Sequence, residues 1–590
     1  MKDFLKFTLA TITGIILSSI VLFFLSIVIL IGMVSSSDSE TVVADNSIMM
    51  LDLSGSLSER SQDNPFSQFM GEGQKAYGLD DILSSIKKAK ENENIKGIYI
   101  QAEALGAGHA SLEEIRDALK DFKESGKFIV SYADNYTQNL YYLSSVADKV
   151  LMNPQGMLQW SGLAASPMFY KNLLEKIGVE MQIFKVGTYK SAVEPFIATE
   201  MSPANREQIT VYLNSIWGEM TNEVAASRNL SQEELNKAAD KMLMFYPAEE
   251  SVSYGLVDTL IYKNDVRNYL KEMVGIDEDD SMPVLGIQEM VNVKKNVPKD
   301  KSGNIIAVYY AYGEIDGGTS VGSGEEGINS SKVIKDLKKL KEDENVKAVV
   351  LRVNSPGGSA YGSEQIWYAV SELKKEKPVI VSMGDYAASG GYYISCCADT
   401  IVADPTTLTG SIGIFGMVPN FKGLTEKIGV DFDVVKTNKY ADFGMLTRPM
   451  NAGEKELMQM HINRGYDLFL TRCSEGRGID KTELDKIAQG RVWTGATAKE
   501  LGLVDVLGGL ETALNIAIEK AGVEAYTVMN YPKKKDFLET LMEEANPGNY
   551  IKAQLLNGKA GELYRQFNLL ENFEQCDRLQ MRVPFELNIH

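Results

Sequence analysis

The chain of 590 residues holds four cysteines and three histidines, and both shortages narrow its chemistry. Cys396, Cys397, Cys473 and Cys576 are too few for a disulfide framework in a chain this long, and no Cys-x-x-Cys or Cys/His spacing offers a metal site. With His109, His461 and His590 alone to draw on, a histidine-dependent triad has few ways to form. No Walker-type glycine loop ending in Gly-Lys-Ser/Thr is present, so no cofactor, metal or nucleotide, is expected. Positive charge is also short: Lys and Arg total 60 against 80 Asp and Glu, a formal net charge of −20, which excludes a nucleic-acid surface. Charge vanishes altogether between Phe7 and Ser37, and Ile15 to Met33 is almost continuously apolar. Such a run is long enough to cross a bilayer, and residues 8–34 are expected to anchor the chain in a membrane. A cleaved signal peptide would have a shorter apolar stretch and a small-residue cleavage site after it. Lys2 and Lys6 precede the span, Asp38 and Glu40 follow it, and the positive-inside rule then puts the bulk of the chain outside the cytoplasm.

What is present is the composition of a globular protein, 44% hydrophobic and 24% charged, in a chain long enough for two or more domains. Two related halves recur at an offset of 251 positions as far as Val179, and at 247 where Gly255-Leu-Val-Asp258 matches Gly502-Leu-Val-Asp505, so the first half carries four extra residues somewhere after Val179. Lys90-Glu-Asn-Glu-Asn-Ile-Lys96 matches Lys341-Glu-Asp-Glu-Asn-Val-Lys347, and Leu173 to Val179 matches Leu424 to Val430. Each half opens on an aliphatic strand (Ile48 to Leu53; Ile305 to Tyr310) and continues into an amphipathic helix, apolar at Ile82, Ile86 and Ala89 or at Val333, Leu337 and Leu340. Strands alternating with helices predict an α/β fold with mostly parallel sheets covered by helices. The expected division is an anchor over 1–37, a first repeat over 38–300, a second over 301–533 and a tail over 534–590 that is charged and partly helical. Longer helices are expected at roughly Pro203 to Arg228 and Gly453 to Arg477.

Chemistry is suggested by Gly384 to Cys397, where the strand Val379-Ile380-Val381 gives way to a turn of small residues and then a buried helix. Ser389 would stand at that helix N-terminus, where unpaired N–H groups favour developing negative charge. It reads either as a nucleophile or as a helix cap between small residues. Asn354-Ser-Pro-Gly-Gly358 follows the strand Ala348 to Val353 and is either an ordinary turn or one half of an oxyanion hole, Gly390 N–H being the other. His461 falls in an amphipathic helix and suits a structural role better than that of a base. A desolvated lysine can stay neutral and accept the serine proton, and Lys190 lies among small and apolar residues in Phe184 to Phe196.

Together Tyr386-Ala-Ala-Ser-Gly-Gly-Tyr-Tyr-Ile-Ser395, Leu408 to Gly416, Asn354 to Gly358 and Val186 to Phe196 resemble the signal peptide peptidase A family in its long, duplicated form. The resemblance implies tandem Clp-protease/crotonase-like domains behind an N-terminal transmembrane helix, and an ATP-independent serine endopeptidase with a Ser-Lys dyad. It implies Ser389 as nucleophile, Lys190 as general base and Ser411 as the residue orienting the lysine amine. Gly358 and Gly390 would donate to the oxyanion, with Gly357 shaping the loop. Expected substrates are signal peptide remnants and other hydrophobic peptides; the expected assembly is a homotetramer on the periplasmic side of a bacterial inner membrane. The repeat alignment adds that Ser389 corresponds to Gln138, Ser411 to Trp160, Gly357-Gly358 to Gly106-Ala107 and Lys190 to Ala441. Each half keeps what the other lacks, so the site is expected between them. Two other readings compete: a crotonase-like acyl-CoA site, which would need neither Ser389 nor Lys190, and a non-catalytic oligomeric scaffold.

Overall fold

The computed structural model describes residues 4, 6–8, 11–22, 40–61, 76–294, 302–317, 327–533 and 579–582. In the first repeat the strands β1 (Ser47–Ser58), β2 (Ile95–Gly106), β3 (Phe128–Tyr136) and β4 (Lys149–Leu158) lie side by side and parallel. Three short strands complete this seven-stranded sheet. Parallel strands are covered on both faces, which is why β1 and β2 read as aliphatic runs without alternation: Ile48, Met49, Leu51, Ile98 and Ile100 are all buried. The helix Leu79–Glu91 buries Leu79, Ile82, Ile86 and Ala89, the stripe its sequence periodicity predicts. After the sheet the chain forms β5 (Glu180–Lys185), which leaves its own repeat.

The second repeat repeats this plan. β6 (Ile305–Tyr312), β7 (Val346–Ser355) and β9 (Val379–Ala388) pair in parallel within an eight-stranded sheet, and the helix Ser330–Glu342 buries Val333, Leu337 and Leu340. Between β7 and β9 stands the short glycine strand β8 (Gly357–Ser359). The chain then makes β10 (Leu408–Gly410), beside β9, β11 (Phe415–Asn420) and, further on, β12 (Thr527–Tyr531), parallel to β6. Five helices matter below: α1 (Lys171–Ile177), α2 (Pro203–Arg228), α3 (Gly390–Ser395), α4 (Lys422–Lys427) and α5 (Ala452–Arg477). The two long ones, α2 and α5, start where their sequence caps stand, the Ser202 and Asn451 side chains accepting from Asn205 N–H and Glu454 N–H.

Two of the junctions between the repeats bear on the site. A buried polar cluster crosses between their sheets: Arg352 on β7 donates to Glu59 at 2.9 and 3.1 Å and to Glu114 at 2.5 Å. Glu113 accepts from Thr406 N–H and hydroxyl at 3.2 and 2.7 Å, and burial pushes its carboxyl up to about 8. Paired buried charges of this kind lose heavily if shifted out of register, so the cluster fixes how the halves meet. The second junction is a four-stranded antiparallel sheet in the order β8, β13 (Leu579–Arg582), β11, β5. It draws one strand from the first repeat, two from the second and one from the tail. The helical content expected of the tail lies outside the described residues; the described part, β13, is a strand. Among the described residues no helix is long and apolar enough to cross a membrane; residues 11–22 of the expected anchor are helical, and 23–34 lie outside the described residues.

Candidate active site

β9 ends at Ala388, and Ser389 takes φ 56°, ψ −112° before α3 begins, a sharp strand-to-helix turn that a β-carbon ordinarily disfavours. The turn is held by Ser389 N–H donating to Gly410 O at 2.8 Å on β10, and by Tyr393 N–H donating to Ser389 O at 2.8 Å. The side chain is fully buried and makes no cap bond to its helix, so of the two sequence readings the capping one loses its defining contact.

Lys190 arrives from the other repeat. β5 docks along β11, Phe415 facing Lys185, and the chain continues five residues to the lysine. The loop around it is tied down from both sides: Tyr189 N–H donates to Gln489 O at 2.9 Å, and Gln208 on α2 donates to Tyr189 O at 3.1 Å and Ser191 Oγ at 2.9 Å. Lys190 Nζ then stands 2.8 Å from Ser389 Oγ, 3.0 Å from Ser411 Oγ and 3.1 Å from Ser411 O. None of these partners is a carboxylate. The amine is fully buried, and that desolvation holds its pKa well below the usual lysine value of 10.5. A neutral amine has two N–H groups and one lone pair, and the three contacts use all three: two donated to Ser411, one accepted from the Ser389 hydroxyl.

Ser411 is positioned by its own backbone, with φ 48° and its N–H donated to Arg491 O at 2.7 Å. Gly490 makes the approach possible. With φ +78°, it lies so close that a β-carbon there would stand 2.7 Å from Lys190 N and Cβ. Gly357 and Gly358, at φ +106° and +154°, bring the backbone of β8 against that of Gly390. A β-carbon on Gly357 would stand 2.8 Å from Gly390 N and 2.0 Å from the carbonyl oxygen of Met581. A carbonyl from β13 therefore already lies beside the N–H groups expected to hold an oxyanion. Met581 itself is buried and lines an apolar cleft of about 1130 Å³, together with Tyr361, Ile414, Tyr440, Phe443 and Leu457.

All six residues expected at the site thus come together, and the repeat alignment accounts for the absences. Gln138 spends its amide on Ser161 N–H, Gly162 N–H and Gly162 O; Trp160 is core, donating to Leu235 O; Ala441 is exposed. His461 sits on α5 with Nδ1 3.2 Å from Arg464 Nη2 and shares no hydrogen bond with Ser389. Sequence reasoning missed Gly490, Gln208 and the tail strand. Gly490 carries no signal beyond being a glycine, and Gln208 is one polar residue of a long helix.

The sequence matches the family described as Peptidase family S49 twice, over residues 121–277 and 371–524. The chain belongs to peptidase family S49. It is 34% identical over 583 residues to "Protease 4" of Haemophilus influenzae, covering 93% of each chain, and 31% identical over 484 residues to "Serine protease SPPA, chloroplastic" of Arabidopsis thaliana, covering 82% of this chain and 70% of that one. A solved ClpP1 mutant of Listeria monocytogenes aligns with a TM-score of 0.24 and 17% identity over 35% of this chain and 94% of its own. This S49 chain is a serine peptidase of the SppA type. One matched segment falls in each of its α/β repeats.

Proposed function

We propose that this peptidase cleaves peptides with Ser389 as nucleophile and Lys190 as general base. The observation that carries the reading is Lys190 Nζ at 2.8 Å from Ser389 Oγ in a fully buried pocket where no carboxylate faces the amine. Neutral Lys190 accepts the hydroxyl proton as Ser389 Oγ attacks the scissile carbonyl carbon. The oxyanion of the tetrahedral intermediate accepts from Gly358 N–H and Gly390 N–H, with Gly357 holding the strand open for it. The lysine ammonium returns its proton to the departing amine, the C–N bond breaks, and an acyl-serine remains. Water then attacks the ester carbonyl, Lys190 takes a proton from it, and the same proton goes back to Ser389 Oγ as the ester C–O bond breaks. Ser411 accepts two N–H bonds from the amine, which leaves its lone pair facing Ser389.

β13 supports an extended peptide as substrate, because it lies antiparallel on β8 as an added strand and places an apolar side chain in the cleft. Hydrophobic peptides, signal peptide remnants among them, fit that cleft. The reading includes an anchor at residues 8–34, a catalytic part on the periplasmic side of a bacterial inner membrane, and a homotetramer. An acyl-CoA site would leave the lysine pocket without use. The test is labelling of the purified chain by a fluorophosphonate, followed by intact mass. One adduct on the wild type, and none on Ser389→Ala or Lys190→Ala, is expected. An adduct that survives Lys190→Ala at the wild-type rate would overturn the dyad.

A further inference from the structure

Arg491 takes no part in the reaction drawn above, yet it holds residues on both sides of the dyad. Its carbonyl oxygen accepts the Ser411 N–H at 2.7 Å. Its side chain crosses to the first repeat, donating from Nη1 to the Tyr189 hydroxyl at 3.0 Å and from Nη2 to Glu207 Oε1 on α2 at 2.9 Å. The guanidinium carbon also lies over two aromatic rings, 4.5 Å from the centroid of Tyr189 and 4.4 Å from that of Trp493. Both rings are pinned in turn: Trp493 Nε1 donates to Ile487 O at 2.9 Å, and the Tyr189 hydroxyl donates to Glu207 Oε2 at 3.3 Å. Because Tyr189 immediately precedes Lys190, one residue of the second repeat grips both the loop carrying the base and the serine that orients it.

The grip is placed at the rim of the site. Gln208, which also ties the loop down, is 2% exposed, whereas the Arg491 and Glu207 side chains are 16% and 52% exposed. Elsewhere the repeats stay joined without Arg491: β5 pairs with β11, and Gly178, after α1, abuts the backbone of Gly423 on α4. Loss of the grip would therefore free residues 186–191 and leave that junction standing. Of the charged and titratable groups around the lysine, Lys185 Nζ donates to Lys190 O at 3.4 Å, Glu194 accepts from Ser202 and Asn205, and Asp485 accepts from Tyr466 and Gln489. Among the described residues none of these, nor Glu207 or Arg491, bonds to Nζ, whose contacts are Ser389 and Ser411. The amine is neutral only while water is kept from it, so protonation pulls the loop open and closure expels the proton.

The duplication supplies a comparison. Gln489-Gly-Arg-Val-Trp493 corresponds, 247 positions back, to Met242-Leu-Met-Phe-Tyr246. The backbones agree: Gln489 and Met242 are left-handed at φ 54° and 58°, and helices follow at Gly495–Glu500 and Ala248–Ser253. The arginine does not recur. Its counterpart is Met244, as the counterpart of Lys190 is Ala441, and the Tyr246 ring, in place of Trp493, receives Lys241 Nζ at 4.7 Å. The fold thus builds the turn without an arginine, and the arginine stands where the turn meets Lys190. We propose that Arg491 is a positioning residue, a clasp that holds the Lys190 loop shut against water and so sets the pH at which the base becomes available. The proposal rests on the Ser389–Lys190 reading and adds to it what keeps the lysine unprotonated. In an opened loop the amine returns to the ordinary value of 10.5, so at neutral pH a weakened clasp leaves much of the lysine charged and exposed. Raising the pH removes that proton, and the loop closes again.

The test is the rate of fluorophosphonate labelling of the full-length chain in detergent from pH 6 to 10. Arg491→Ala should label about tenfold slower than wild type at pH 7, with its alkaline rise displaced upward by about one pH unit and its plateau within about twofold of the wild-type plateau. Arg491→Lys keeps a cation near the rings but cannot make both donations, and its profile should fall between the two. It also carries the test where the alanine variant fails to fold. A deficit by the same factor at every pH would overturn the clasp, because a site that is merely distorted gains no more from alkali than the wild type does. Profiles that coincide with wild type would overturn it as well. Lys190→Ala is run beside them: labelling of that variant at the wild-type rate would overturn the dyad and the clasp together, whereas no labelling of it, with an undisplaced profile for Arg491→Ala, would overturn the clasp alone.

Discussion

Gly490→Ala tests whether the distance between base and nucleophile is set by a residue that does no chemistry. The added methyl would stand 2.7 Å from Lys190 N and Cβ and 2.8 Å from its Cα. Ordinary carbon contacts need about 3.5 Å, so the two backbones must separate by roughly 0.8 Å. Backbone atoms on both sides leave no flexible side-chain end to absorb the shift. Passed along to Nζ, it stretches the 2.8 Å contact with Ser389 Oγ past the limit of a useful hydrogen bond, which is about 3.2 Å. A misplacement near 1 Å can cost about 100-fold in rate. Alanine at φ +78° also costs roughly 1–2 kcal/mol in stability. Gly522→Ala isolates that second effect, since Gly522 has φ +63° and open space at its β-carbon. The assay is the rate of fluorophosphonate labelling beside the melting temperature. Both variants should melt lower than wild type, and Gly490→Ala alone should label about 100-fold slower. Labelling of Gly490→Ala at the rate of Gly522→Ala would refute the reasoning.

Peptide hydrolysis should rise with pH through the lowered pKa of Lys190 and level off below the ordinary value of 10.5; a rate flat from pH 6 to 10 would count against a lysine base. The same group makes stability depend on pH: below its unfolded pKa but above its folded one, the unfolded chain binds one proton more, so stability rises with pH across that window. Wild type should therefore gain on Lys190→Met in thermal melts between pH 7 and 9.5. Ser411→Ala removes one of the two acceptors of the amine, leaving the carbonyl at 3.1 Å, and should lower kcat about tenfold, corresponding to about 1.4 kcal/mol, while moving the alkaline rise to lower pH. A chain ending at residue 578 lacks β13 and should label faster than wild type, because a tethered strand competes with any entering peptide; equal rates would mean that β13 does not obstruct the groove.

Much of this was legible in the sequence, for physical reasons that differ by residue. The amphipathic stripes at Ile82, Ile86 and Ala89 and at Val333, Leu337 and Leu340 are buried as their spacing requires, since a helix exposes its period directly. The complementary losses at Gln138 and Ala441 point to the boundary between the repeats, where Lys190 and Ser389 meet, because a duplicated chain records which copy of a residue is dispensable. What escaped is whatever depends on approach across the fold. Gly490 lies 300 positions from Lys190, and nothing local marks the pressure between them. Arg352 with Glu59 and Glu114 reads as three scattered charges until the sheets face each other. The helical content expected of the tail lies outside the described residues; its described strand is decided by the open edges of β8 and β11, which tertiary context supplies.

The division of the proposed dyad between repeats also orders events in time. Lys190 leaves the ribosome 199 residues before Ser389, and Gly490, against which it packs, follows 101 residues later still. Until that last segment has docked, the amine stands in water, keeps its proton and cannot take one from any serine. On the proposed mechanism a growing chain therefore carries an inert hydroxyl past every neighbouring peptide, and acquires the power to cut only when its final fold excludes the solvent. By that mechanism the protease's own incompleteness serves as its inhibitor during synthesis.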